Sequence, residues 1–256
     1  MTNTTKTCIV IPHFDHVDQF RALLPALAAL NIPILIVDDF SPAAVFANLQ
    51  QLVANLAPGA SLIRQNENRG KGAAVITGMK AAQAQGFTHA LQIDADGQHA
   101  AADVGRIIAA SNAHPTHIMC GLPQFDESIS RLRYYSRYLT LGFCRLETWS
   151  LEICDAMCGF RSYPLSSTVP LVNRASIGQR MTFDPEILVR AVWAGIPLGF
   201  HPVTVRYPED GRSHFRYVRD NVEISWMHTR LIAGMISRSP LLLVRKLRQL
   251  QKLERQ

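Results

Sequence analysis

Short apolar, β-branched segments recur at 7–11, 34–37, 61–63, 89–93 and 117–119. Longer Ala-, Leu- and Gln-rich stretches with apolar residues at helical spacing lie between them, at 17–30, 43–56, 72–85 and 101–112. Strand-length and helix-length patterns alternating in this order predict an α/β fold with a mostly parallel sheet covered by helices. Past residue 120 the alternation fades, and 128–149 reads as a helical, aromatic and basic segment containing Arg131, Arg133, Tyr134, Tyr135, Arg137 and Tyr138. No Pro/Gly linker, internal repeat or low-complexity region divides the chain. The expected organisation is a globular domain over 1–215 and a helical tail over 216–256.

A parallel sheet of this kind binds ligands beyond the carboxyl ends of its strands, so the residues that follow each strand are the first candidates for a site. They are Pro12-His13-Phe14-Asp15, Asp38-Asp39-Phe40-Ser41, Asn66-Glu67-Asn68-Arg69-Gly70-Lys71-Gly72 and Asp94-Ala95-Asp96-Gly97-Gln98-His99. Four polar or acidic turns on one edge exceed what a scaffold requires. In the last of them two carboxylates one residue apart can share one hard cation, with Gln98 as a further oxygen ligand and the remaining positions suited to a diphosphate. The competing reading, a plain Asp96-Gly97 turn, treats the same residues as turn formers. Gly70 and Gly72 allow close approach of the backbone to a ligand and open a helix whose N-terminus favours an anion. The glycines of a dinucleotide-binding fingerprint are absent after the first strand.

Composition narrows the class. With 256 residues, 48% hydrophobic and 18% charged, the chain can bury one large core or two small ones. Five cysteines without regular pairing, and a polar start in place of a secretion signal, predict free thiols in a reducing, cytoplasmic compartment. Cys154 and Cys158 have no second pair or nearby His at ligand spacing, so a zinc site is not expected. Residues 1–200 carry 15 Lys/Arg and 15 Asp/Glu, whereas 201–256 carry 11 against 5, so the whole excess of +6 lies in the tail. There Trp226, Met227, Leu231, Ile232, Met235, Ile236 and the 241–244 run interleave with Arg230, Arg238, Arg245, Lys246, Arg248 and Lys252. Bulky apolar and basic residues mixed in this way predict a membrane-surface helix, not a nucleic-acid partner. No apolar run reaches the roughly 18–20 residues needed to cross a bilayer. The alternative is that 222–237 packs on the domain and 241–256 forms a solvated or dimerising helix, with Pro240 as the break between them.

Taken in order, Val10-Ile11-Pro12, Val37-Asp38-Asp39-x-Ser41, Asn68-Arg69-Gly70-Lys71-Gly72-Ala73, the 94–99 motif and Asp155-Ala156-Met157-Cys158-Gly159-Phe160-Arg161 resemble family 2 glycosyltransferases, in particular the dolichyl- and polyprenyl-phosphate sugar transferases. The likeness spans about 8–195. It implies a GT-A (Rossmann-like) sheet with helices on both faces, a UDP- or GDP-linked sugar donor, and Mg2+ or Mn2+ held through Asp94, Asp96 and Gln98. It further implies donor contacts at Pro12, Phe14, Asp38, Asp39, Gly70, Lys71, Asp94, Ala95 and Asp96. Three departures stand out: Asp15-His16 where the family has Asn-Glu, Gly121-Leu122-Pro123 where Gly-Ser-Arg is usual, and Ser213-His214 in place of Ser-Lys.

The expected reaction moves a sugar, with inversion, to a membrane lipid at the inner face of the membrane. A lipid-phosphate acceptor is already anionic and needs only cations, for which Arg133, Arg137, Arg161, Arg206, Arg212 and His214 are candidates. A hydroxyl acceptor needs a base, and Asp184, Asp155 and Glu186 are the carboxylates considered, Asp184 first. The rival reading is an inactive nucleotide-sugar-binding subunit of a membrane assembly. Oligomerisation stays open.

Overall fold

The computed structural model describes residues 5–125, 129, 131–206 and 217–253. The first half follows the expected alternation: β1 (Thr7–His13), α1 (Val17–Ala28), β2 (Ile34–Asp38), α2 (Ala43–Leu56), β3 (Ser61–Arg64), α3 (Lys71–Ala84), β4 (His89–Gln92), α4 (Ala102–Ala113) and β5 (Ile118–Phe125). The second half adds α5 (Arg131–Thr148), β6 (Arg161–Pro164), α6 (Leu165–Arg174), α7 (Phe183–Ala194), β7 (Leu198–Val205) and α8 (Tyr217–Leu253). The seven described strands form one sheet in the order β3-β2-β1-β4-β6-β5-β7. All neighbours are parallel except β6, which runs antiparallel to both β4 and β5.

Alternate residues of β1 feed two cores, as the two-residue period of a strand requires. Ile9 and Ile11 meet Phe20, Leu24, Leu49, Val104 and Ile107 from α1, α2 and α4. Cys8 and Val10 belong to a second cluster with Val75 and Met79 of α3, Phe183 and Ile187 of α7, and Met227 and Leu231 of α8. Helices therefore cover both faces. α3 lies unusually close to the sheet because its inner face is small: a Cβ at Gly78 would fall 2.3 Å from Val10 Cγ1, and one at Gly72 would fall 2.4 Å from Phe183 Cβ.

β6 and β7 are absent from the hydrophobic pattern for a physical reason. Arg161-Ser162-Tyr163-Pro164 is fully buried yet largely polar. Internal partners replace apolar character there: Ser162 Oγ shares a 3.0 Å hydrogen bond with Ser111 Oγ, and Tyr163 donates to Gln92 Oε1 at 3.1 Å. The tail differs in one respect from the packing alternative. α8 runs through Pro240 without the break that alternative placed there. The Ile236 carbonyl that Pro240, lacking an N–H, leaves without its usual donor accepts the Ser239 hydroxyl at 2.9 Å. One face of α8 is core, through Met227, Leu231, Met235 and Leu242, while Val218, Val222, Trp226, Ile236, Leu241, Leu243 and Val244 stay exposed.

The α3–β1 contact generates a first prediction. Gly78→Ala should destabilise the protein by about 2 kcal/mol through overpacking, measured by urea unfolding. In a Val10→Ala background the same change should have a markedly smaller effect, because the two sites share one contact.

Candidate active site

The carboxyl ends of β1, β2, β3 and β4 meet at one edge, and the site is built from the turns that leave them. Asp94 follows β4 immediately. Its Oδ2 accepts from Lys71 Nζ at 2.7 Å, and its Oδ1 faces Gln92 Nε2 at 3.4 Å. The same ammonium donates to Asp184 Oδ2 at 2.8 Å. Lys71 is the first residue of α3 and Asp184 lies in the first turn of α7, so one cation joins three segments distant in sequence. Gly159 is the floor: a Cβ there would come within 2.5 Å of Lys71 Nζ and 2.8 Å of Asp94 Oδ2.

Burial opposes ionisation of Asp94, but the Lys71 charge outweighs it and holds the carboxyl below its usual range. Asp96 lacks such a partner. Burial, joined by the charge of Asp94, pushes its carboxyl up to about 6. Its Oδ1 accepts the Gln98 backbone N–H at 3.0 Å across Gly97, whose φ of 73° lies in the left-handed region that glycine enters without strain. The loop is pinned to the end of β7: Arg206 N donates to Gln98 O, His99 bridges to Val205, and Thr204 N donates to the buried Asp103 at 2.8 Å. Ala95 is buried beneath it. His99 lies against Phe160 with ring centroids 5.1 Å apart and the rings tilted by 39°, and burial lowers its imidazole to about 4, which keeps it neutral near pH 7.

The expected donor residues fall into two groups. Pro12 is paired with Val37 at the end of β1, Phe14 is half-buried just beyond, and Gly70 caps α3 with φ 101°. Asp38 and Asp39 face inward. Asp38 accepts from Ser41 N at 3.0 Å and Ser41 Oγ at 2.5 Å and meets His13 Nδ1 at 3.3 Å. Asp39 accepts from Arg69 N at 2.9 Å and Gly70 N at 2.7 Å, clamping the 68–70 turn onto β2. These two carboxylates hold the turns that follow β2 and β3. Burial works against the charge on Asp38, yet the bonds from His13 and Ser41 hold its carboxyl below the usual range.

Of the three carboxylates considered as bases, two are already saturated. Asp155 takes a bidentate guanidinium from Arg137, with Nη2 at 2.8 Å from both oxygens, together with the N–H groups of Met157 and Cys158. Glu186 is fully buried and receives Arg190, Arg230 and Gly178 N. Asp184 differs, because its Oδ1 is buried without a hydrogen-bond partner. Arg161 is fully buried beneath the site and donates to the carbonyls of Asp184 and Ala156 at 2.7 and 2.9 Å. It is thus a support for the α7 N-terminus, not a surface cation. Arg137 is committed to Asp155, Arg133 lies on α5, and Arg212 and His214 lie outside the described residues. The Lys71–Asp184 link and the role of Gly159 left no trace in residue spacing.

Among the described residues no three His, Cys, Asp or Glu side chains converge as a complete metal cage. All five cysteines are free, four of them buried. The lowered carboxyl of Asp38 carries a sign that can be tested. A group ionised more readily in the folded state stabilises it above the ordinary carboxylate range, and that stability is lost as pH falls through it. Melting temperature should accordingly drop less steeply below about pH 4 in Asp38→Asn than in the parent protein, whose Asp38 must then be protonated.

Comparison with known proteins agrees with this architecture. A sequence model of glycosyl transferase family 2 matches residues 8–168. Polyprenol monophosphomannose synthase of Mycolicibacterium smegmatis is 26% identical over 223 residues, 82% of this chain and 81% of that protein. Among solved structures, glucosyl-3-phosphoglycerate synthase from Mycobacterium tuberculosis, in complex with Mn2+, uridine-diphosphate-glucose and phosphoglyceric acid, superposes with a TM-score of 0.64 at 13% identity, covering 91% of this chain and 79% of that one. S. aureus TarS 1-349 in complex with UDP-GlcNAc superposes with a TM-score of 0.55 at 15% identity, over 91% of this chain and 66% of that one. The sheet is that of a GT-A glycosyltransferase. With the family model spanning more than half its length and the paired carboxylates set at the end of β4, the chain belongs to glycosyl transferase family 2 and is a glycosyltransferase.

Proposed function

We propose that this enzyme transfers a hexose from a UDP- or GDP-linked donor to polyprenyl phosphate at the cytoplasmic face of a membrane, with Mg2+ or Mn2+ as cofactor. The observation that carries the reading is the Asp94–Asp96 pair, two half-buried carboxylates only one of which is balanced by an ion pair to Lys71. The unbalanced one is driven toward its protonated form, the mark of a place where positive charge is missing. Asp94, Asp96 and Gln98 fit a hard divalent cation, since they offer oxygen donors and leave further positions to a diphosphate. Such a cation, when bound, stabilises the charge that develops on the departing nucleoside diphosphate. The Mn2+ and nucleotide sugar in the Mycobacterium tuberculosis neighbour support this reading, and the printed name of the Mycolicibacterium smegmatis relative supports the lipid-phosphate acceptor.

The chain's own residues supply positioning. Lys71, at the N-terminus of α3, brings a fixed positive charge to the diphosphate side of Asp94, reinforced by the helix dipole. The acceptor phosphate oxygen attacks the anomeric carbon while the bond from that carbon to the diphosphate oxygen breaks, its electron pair leaving with the nucleotide. An ionised phosphate has no proton to lose, so no base is needed, and Asp184 serves to hold Lys71 in place. The paired helices α5 and α8 present Tyr135, Tyr138, Leu139, Leu146, Val222 and Trp226 to solvent. That face, followed by the basic end of the tail, suits a peripheral membrane contact. No helix among the described residues is long and apolar enough to cross a membrane.

Two outcomes test the proposal. Mn2+ together with UDP- or GDP-sugars should raise the melting temperature by mass action, and Asp96→Asn should remove the Mn2+-dependent part of that rise and reduce transfer by at least about 100-fold. Asp184→Asn should lower transfer to polyprenyl phosphate by only about tenfold, whereas a base would be needed by a hydroxyl acceptor and its loss would be far more severe. An inactive binding subunit would show the thermal shift with neither transfer nor donor hydrolysis.

A further inference from the structure

Beside the site, between the 67–69 turn, the 178–182 segment and α8, lies a chamber of about 450 Å3 that neither Asp94 nor Asp96 lines. It adjoins the reaction centre closely, because Arg69 precedes Lys71 by two residues and Thr182 precedes Asp184 by two. Three guanidinium groups converge on it, from Arg69, Arg180 and Arg230. Arg180 gives two hydrogen bonds to Asn68, at 3.0 Å to Oδ1 and 3.0 Å to the carbonyl, both neutral oxygens, and the acid its charge acts on, Asp39, is not within ion-pair distance. Arg230 reaches Glu186 through Nη2 at 3.1 Å, while its Nε is buried without a hydrogen-bond partner. Two acids also border the chamber: Glu67 lies at the exposed rim, 3.9 Å from Arg69 itself, and Glu223 accepts from Arg219 at 2.9 Å, outside the three arginines.

The fourth wall is apolar. Trp226, 63% exposed, lines the chamber and also an open face of α8 that continues past Val222, Ser225 and Thr229. A cationic hollow that passes by one tryptophan onto an exposed helix face bearing Val222 suits an anionic head with a hydrocarbon tail. We infer that this chamber seats the phosphate of the acceptor lipid, on Arg69, Arg180 and Arg230, and that Trp226 and Val222 carry the first part of its chain. The inference rests on the lipid-phosphate reading above and gives it an address different from Arg137, whose charge Asp155 neutralises.

The test is titration of the full-length protein with farnesyl phosphate, a short soluble polyprenyl phosphate, alongside farnesol and inorganic phosphate. Farnesyl phosphate should bind at least about tenfold more tightly than either fragment, since a charge-assisted hydrogen bond and buried apolar area each contribute on that scale. Arg69→Gln should weaken it about tenfold and Arg69→Lys much less, the charge being retained. Trp226→Ala should bring its affinity close to that of inorganic phosphate. Both side chains are exposed, and an unchanged melting temperature verifies that each variant folds. Parent-like binding in folded Arg69→Gln and Trp226→Ala would sink the inference, as would inorganic phosphate binding as tightly as farnesyl phosphate, which would mark a site for a small soluble anion. If no sugar is transferred from any donor while these effects on farnesyl phosphate persist, the chamber stands and the proposed reaction fails. If transfer to polyprenyl phosphate occurs and the variants leave farnesyl phosphate binding untouched, the reverse holds.

Discussion

One ammonium group organises this active site. Lys71 Nζ lies within 2.8 Å of two carboxylates, Asp94 at the end of β4 and Asp184 at the start of α7. Each of the three charges is largely withdrawn from water, and such a charge is tolerated only where partners replace its hydration. Removing any one of them would leave the others uncompensated. The pair of bonds therefore fixes how the N-terminus of α3, the β4 loop and the N-terminus of α7 stand to one another, and with them the floor on which a nucleotide sugar would rest.

That arrangement requires close approach, and small residues make it available. Gly72 and Gly78 let α3 settle against Phe183 and Val10, which sets the height from which Lys71 projects. Gly159 leaves space under the ammonium, and Gly70, in a conformation that side chains rarely adopt, lets the turn pass beneath Arg180. Around this centre, residues of the same type are sorted by their neighbours. Asp155 and Glu186 are fully answered by guanidinium and backbone donors, and both are structural. Asp96, with a similar side chain, is left short of positive charge, and Asp184 keeps one oxygen unsatisfied. Arginines divide in the same way: Arg161 holds backbone carbonyls in the interior, Arg137 is tied to Asp155, and Arg180 retains its charge.

The alternation of apolar segments and helical stretches was enough to place β1 to β5 and α1 to α4, because each is a local pattern whose period matches its geometry. The carboxylate motif was legible for the same reason: Asp94, Asp96 and Gln98 lie on one turn, and the list of residues after each strand already contained Lys71. β6 was not legible, since Arg161-Ser162-Tyr163-Pro164 is buried by hydrogen bonds to residues far away in the chain and not by hydrophobicity. The packing alternative misjudged α8 at Pro240, where a neighbouring serine hydroxyl makes good what the imino acid lacks.

By itself, then, the sequence determined the class of sheet and named the polar turns that gather at one of its edges, both of which depend on residues near one another in the chain. Only the tertiary structure decided which carboxylate keeps an unpaired oxygen, which arginines are spent on ion pairs, and that Arg69, Arg180, Arg230 and Trp226 line one open hollow. Those outcomes depend on charges and volumes meeting between separate elements, at a separation of 18 residues for Arg137 and Asp155 and of 113 for Lys71 and Asp184. No local spacing encodes such a meeting, because the electrostatic and steric terms that settle it exist only once the helices have docked.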